Sequence, residues 1–477
     1  MITKKSPSSR AGLPPIAYIV LAIILIGGGY KLYSSLPTFL TKFGGSEVLS
    51  HSTPKNLQNR LSLGDRLLIT DQSSPEKQKG IEAVARGDYK TAVIQFESSL
   101  RIQRNDPETL IYLNNARIGK NPSWTIAVSV PIGSNLNVAQ EILRGVAQAQ
   151  DEVNRTGGIQ GIPIQVMIAN DDNDSDLVKQ IATQFVQNSK ILAVVGHNTS
   201  SASLTAAPIY QQGGLVMISP TSFADNLSGA GSYIFRTVSN TQVMADTLAR
   251  YTVKSARKGR VAICFDSQAP DNVSFKDSFI GALLSNGGQL VPISCDFSSP
   301  TFNPDGVVSQ AINHRADALL LAPHVDRIDQ AIQIARSNKQ RLTLLGSPTL
   351  YTIKTLQSGQ TEVNGLTLPV SWHPENTSGQ VFAKQAIQLW GGTVNWRTAT
   401  AYDATQAIFT ALKQNQDREG VQQILRNPGF LAHGAGEPIQ FLPTGDRLAP
   451  PKLIQVKPGS SGGVKFTPLH SYQSGQE

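Results

Sequence analysis

The chain has 477 residues, a length that suggests two to four domains. Its residues are 40% hydrophobic and 16% charged, which supplies packed cores and carries no broad signature of disorder. Net charge is +8, yet the basic residues are scattered without an aromatic-plus-basic stripe, which argues against a nucleic-acid partner.

The first element is apolar. Ala11 to Tyr30 carries no charge, and Lys4, Lys5 and Arg10 precede it. About twenty such residues span a bilayer as a helix. The positive flank predicts a cytoplasmic N-terminus with the bulk of the chain outside. A single-pass anchor over 11–34 is therefore expected in a bacterial inner membrane, with a cleaved signal peptide as the rival. Both readings put the bulk of the chain in the periplasm. Residues 35–74 are mixed and polar and read as a linker with at most one short helix. Over 75–120, small, apolar and aromatic residues recur at helical spacing. Gly80, Gly87-Asp88-Tyr89, Ala92 and Phe96 resemble a tetratricopeptide repeat, in which small residues let two antiparallel helices approach. Pro107-Glu108 opens a third helix. With about one and a half repeats present, the region is either a packed spacer or a docking site for a protein partner.

From Trp124 the pattern alternates. Apolar strand-like runs fall at Thr125–Val130, Ile164–Ile168, Ile191–Val195, Gly214–Ile218, Val261–Phe265, Gln289–Ser294, Ala318–Leu321 and Leu342–Leu345. Amphipathic helices fall between most of them, as at Val138–Asn154, Asp176–Gln187, Ser203–Gln211, Thr241–Val253, Phe275–Ser285 and Arg327–Ser337. This order predicts an α/β fold of parallel sheets covered on both faces. The length exceeds one such sheet, so two doubly wound lobes are expected, with strand carboxyl ends around one cleft. Cys264 and Cys295 each end a strand-like run and read either as buried free thiols or, on neighbouring strands, as a disulfide. Lys254, Arg257, Lys258 and Arg260 read as decoration of a helix end.

Several segments in register resemble the branched-chain amino-acid binding proteins of ABC importers, a type I periplasmic-binding family. They are Ile126–Pro131 with Gly133, Gly157–Ile164, Val194–Ser201, Met217–Ser222 followed by Phe235-Arg236-Thr237, Ala401–Ala404, and Gly436–Phe441 with Gly445-Asp446. The resemblance implies a bilobed domain over 123–460 with a tail at 461–477. Lobe 1 would take about 123–240 and 373–440. Lobe 2 would take about 241–372 and 441–460. It further implies hinge closure around a small polar solute (an amino acid, amide or carboxylate) and an ABC permease as partner.

The candidate ligand residues follow from the same resemblance. Thr199, Ser200 and Ser201 open a helix whose free amides and hydroxyls suit a carboxylate, though Ser and Thr there also serve as ordinary caps. Thr221, Ser222 and Phe223 form the second loop, and Phe223 replaces a hydroxyl residue of the family. Pro348 stands at the place of the family's acid from lobe 2, while Asp271 and His324 map near its aromatic positions. These departures weaken the case for a plain α-amino acid. A membrane-tethered sensor or scaffold with altered binding is the alternative function.

No cofactor is expected. Asp172–Asp176 starts like a calcium loop but has Leu177 and Thr183 at the sixth and twelfth positions, so it reads as a helix cap. Phosphate loops, nucleophile elbows and paired metal ligands are absent from the sequence, His197 reads as a loop hydrogen-bonder, and no enzyme is expected.

Overall fold

The computed structural model describes residues 55–71, 73–459 and 462–469. The expected anchor over 11–34 lies outside the described residues. Among the described residues no helix is long and apolar enough to cross a membrane.

Two sheets organise the chain. The first contains β1 (Leu61–Ser62), β2 (Trp124–Val130), β3 (Ile164–Asn170), β4 (Ile191–Val195), β5 (Val216–Ser219) and β6 (Ile234–Arg236). Its order is β1-β3-β2-β4-β5-β6, parallel throughout except for β1 on β3. The second contains β7 (Arg260–Phe265), β8 (Gln289–Leu290), β9 (Ala318–Ala322), β10 (Thr343–Gly346), β11 (Thr367–Val370), β12 (Lys452–Pro458) and β13 (Val464–Pro468). Its order is β13-β12-β11-β10-β9-β7-β8, and the last two strands in sequence join antiparallel. Buried strands such as β4 and β9 are continuously apolar because helices cover both faces. The expected parallel cores are therefore present, with antiparallel strands added at the edges. The run expected over 289–294 shortens to β8.

The helices start where short polar side chains cap them. Asn135 accepts the Val138 amide at the start of α5 (Leu136–Arg155), and Asp174 accepts those of Asp176 and Leu177 at α6 (Ser175–Gln187). The Asp-rich segment is thus a cap, as its sequence suggests. Next come α7 (Ser200–Gln212), α8 (Thr241–Arg250), α9 (Pro270–Ser285), α10 (Pro304–Asn313), α11 (Ile328–Asn338) and α12 (Ile353–Gly359). Then α13 (Gln380–Trp390), α14 (Trp396–Leu412) and α15 (Arg418–Arg426) follow β11. α14 and α15 pack on the first sheet, so the chain passes between the sheets three times, after β6, after β11 and before β12. The three passages lie side by side. The Ser239 amide donates to Ser371 Oγ at 2.9 Å, and its hydroxyl donates to the Ala449 carbonyl at 3.3 Å.

The stretch expected as a linker contributes α1 (Lys55–Gln58) and β1, and Ile69 is buried. The region 75–120 forms three helices, α2 (Pro75–Ala85), α3 (Tyr89–Ile102) and α4 (Pro107–Ile118). Gly80 permits the α2–α3 approach, since a β-carbon there would stand 2.5 Å from the Phe96 ring. α4 is buried on almost every side, between α3 and α5. Lys77 on α2, 1% exposed, pairs with Asp106 at 2.8 Å and Glu108 at 2.7 Å. Asn115 on α4 accepts the Val166 amide at 3.0 Å and donates to its carbonyl at 2.7 Å, as a neighbouring strand would.

α5 and α14 cross closely at Gly145. A β-carbon there would lie 2.3 Å from the Thr398 carbonyl oxygen and 2.6 Å from the Tyr402 amide. Gly145→Ala is expected to destabilise the protein by about 1–3 kcal/mol through overpacking. Thermal unfolding checks this, and an unchanged midpoint would contradict the close crossing.

Cys264 and Cys295 are disulfide-bonded, which resolves the choice that the sequence left open. The bridge joins β7 to the segment after β8, where Phe265 pairs with Asp296.

Candidate functional site

The carboxyl ends of five strands converge between the two sheets. Residues after β4, β5, β7, β9 and β10, together with the start of α14, line one small cavity of about 30 Å³. Its wall from the first lobe comprises Asn198, Thr199, Ser200, Thr221 and Phe223. Asp271, His324, Val325 and Thr349 face them from the second lobe, and Trp396 and Arg397 complete the lining.

Six of the eight expected residues line this cavity: Thr199, Ser200, Thr221, Phe223, Asp271 and His324. Ser201 is exposed and faces elsewhere. Ser222 is buried beside it, its hydroxyl 2.9 Å from Ser203 Oγ, where it fixes the loop. Thr199 caps α7 by accepting the Ala202 amide at 3.2 Å, and Ser200 Oγ accepts the Ala224 amide at 3.2 Å. Both hydroxyls thereby keep a proton to donate. The first-turn amides of Ser200 and Ser201 have no acceptor within the helix. Thr221 instead spends its proton on the Asn198 carbonyl at 2.6 Å. Behind the loop, His197 is fully buried between Asp171 at 2.6 Å and Tyr210 at 3.1 Å, and so is a structural hydrogen-bonder. Burial would raise the Asp171 carboxyl, but the His197 hydrogen bond and charge outweigh it and hold it low.

The wall from the second lobe is ionisable. Asp271 sits in the first turn of α9, and burial pushes its carboxyl up despite the nearby His324. Burial opposes protonation of His324, but the Asp326 hydrogen bond and the Asp271 charge prevail and raise its pKa. Pro348, standing where the family places an acid, lines a separate apolar space with Phe223, Met244, Val370 and Trp396.

The sequence reading missed Asn198, Val325, Thr349, Trp396 and Arg397. Arg397 matters most, being 5% exposed and holding its guanidinium 4.5 Å above the Trp396 ring. Its signal was a cation in the first turn of a helix, opened by the Asn395 cap.

Other residues that carried the resemblance turn out to hold the fold. Arg236 binds Asp446 at 2.5 Å, and Arg447 pairs with Asp403, all four buried. Gly445, at φ +84°, fits where a β-carbon would meet the Ile234 carbonyl at 2.1 Å.

Two facing lobes with strand ends around one cavity define a bilobed solute-binding protein. Residues 123–460 match the family model described as periplasmic binding protein, and the chain belongs to that family. It is 33% identical over 290 residues to the Leu/Ile/Val-binding protein of Escherichia coli K12, across 59% of this chain and 77% of that one. An amino acid binding protein of Pseudomonas aeruginosa is 29% identical over 135 residues, 28% of this chain and 36% of the relative's length. The fold also resembles a solute-binding protein of an ABC transporter from Rhodopseudomonas palustris, solved with 3,4-dihydroxybenzoic acid. There the TM-score is 0.61 at 19% identity, over 72% of this chain and 95% of that one.

Proposed function

We propose that this protein is the substrate-binding component of an amino-acid or amide-type ABC importer. It takes a small carboxylate-bearing polar solute into the cleft and closes over it by bending at the three laced passages. The carrying observation is the first wall of the cavity, where the α7 N-terminus and the Thr199 and Ser200 hydroxyls present donors toward one anion. The second wall, with Asp271 and His324, supplies the other lobe's grip. The disulfide suits an oxidising compartment, and residues 11–34 would hold the protein at the outer face of the inner membrane. The permease would read the closed form.

A second reading, a tethered sensor or scaffold, draws support from one observation. Three helices are built onto the first lobe, and none of their residues lines the solute cleft.

The test is thermal unfolding of the full chain against amino acids, amides, carboxylates and ureas. A ligand at one hundred times its Kd adds about 2.7 kcal/mol, a shift of a few degrees at this size. Ser200→Ala is expected to weaken that ligand tenfold or more, since a hydrogen bond to a charged group contributes about 1.5–3 kcal/mol. A flat response to the whole panel would favour the scaffold.

A further inference from the structure

We infer that Arg397 binds the solute's carboxylate directly, and that the solute is a net-negative organic acid without an ammonium group. The inference rests on the solute-binding reading above and narrows its ligand.

Four cationic side chains are buried among the described residues: Lys77, Arg236, Arg397 and Arg447. Three of them have carboxylate partners, Lys77 with Asp106 and Glu108, Arg236 with Asp446, and Arg447 with Asp403. Arg397 forms no ion pair with any described residue, and its Nε is buried without a hydrogen-bond partner. The nearest acid to influence it, Glu141, is already held by Arg144 at 2.8 Å and by the Thr398 hydroxyl.

The position is unfavourable twice over. Burial pushes the guanidinium down to about 10, against the pull of Glu141, and still leaves it charged at neutral pH. It also sits in the first turn of α14, at the positive end of the helix. An unpaired buried cation costs several kcal/mol unless an anion meets it. It lines the cavity shared with Ser200, which is where a ligand would bring the missing anion. Stacking on Trp396 fixes the guanidinium plane, which suits two-pronged recognition of a carboxylate.

The charge balance decides between an acid and an amino acid. Arg397, the α7 N-terminus and His324 favour negative charge, while Asp271 is the one carboxylate lining the cavity. A zwitterion brings an ammonium that only Asp271 among the lining residues could neutralise, and the charge of Asp271 already acts on His324. An acid without the ammonium supplies the charge that Arg397 lacks. Phe223, Val325 and Trp396 would give its body an apolar bed.

The experiment uses the full chain, titrated calorimetrically with benzoate, 4-methylpentanoate and L-leucine, the last two differing by the ammonium group. The acids are expected to bind and leucine to bind at least tenfold more weakly than 4-methylpentanoate. Arg397→Met should lose at least tenfold in acid affinity, and Arg397→Lys should lose less. The empty Arg397→Met protein should unfold at the same or a higher temperature than wild type, because an unpaired buried charge has gone. A lower unfolding temperature would mark Arg397 as structural and overturn the inference, as would unchanged acid affinity in the variant. Tight leucine binding with no acid binding overturns this inference alone and leaves the receptor reading standing. Silence from these three ligands and from the wider panel overturns both.

Discussion

Replacing Lys77 with methionine is expected to destabilise the protein by about 3–5 kcal/mol, the usual cost of removing one partner from a buried ion pair. Lys77 is the sole cation of a cluster in which Asp106 and Glu108 both approach within 2.8 Å. Glu108 also accepts the Leu68 amide at 2.8 Å and the Tyr112 hydroxyl at 2.9 Å, so the cluster fastens α2 and α4 to the segment before them. The loss will depend on pH in a defined direction. Burial, against the charge of Lys77, already pushes the Glu108 carboxyl above its ordinary 4.5. Without Lys77 it rises further, and a carboxyl raised in the folded state costs stability only above its unfolded pKa. The difference between variant and wild type should therefore be small near pH 4 and widen toward pH 7. Denaturant unfolding at both pH values measures it, and a penalty independent of pH would contradict an electrostatic origin.

Removing the Cys264–Cys295 bridge by a double alanine substitution is expected to cost about 3–4 kcal/mol, from the entropy of the loop it closes in the unfolded chain. The cysteines lie 31 residues apart, and α9, with Asp271 in its first turn, falls inside that loop. Loosening it should thus weaken solute binding as well as stability. Unfolding of the oxidised protein and the variant decides the first effect, and the same titrations decide the second. Equal midpoints would show that the bridge contributes nothing.

The fold was legible because its strands are buried on both faces and its helices on one. Continuous runs such as Ile191–Val195 and one-sided runs such as α5 leave periods that any reader can separate. The antiparallel edges were not, since two residues of β1 carry no period. α14 was hidden for the opposite reason, being buried along nearly its whole length. Within the site, the serine and threonine loops could be found because they follow strands directly. Arg397 could not. It lies far along the chain from Ser200, and arginine ordinarily marks a surface. Only its burial without a carboxylate partner distinguishes it.

The two residues of β1 have one more effect, and it concerns crowding of one molecule against another. Along its outer border β3 would offer open amides and carbonyls to any strand of a neighbouring chain. Here Asn115 engages Val166, Ser62 and Leu61 pair with Ile168 and Ala169, and the Arg60 carbonyl takes the Asn170 amide at 2.9 Å. The border is sealed from within by chain that precedes the family's own boundary at 123. A version trimmed to that boundary would carry a sticky rim, and the residues before it act as a built-in guard against self-association at high concentration.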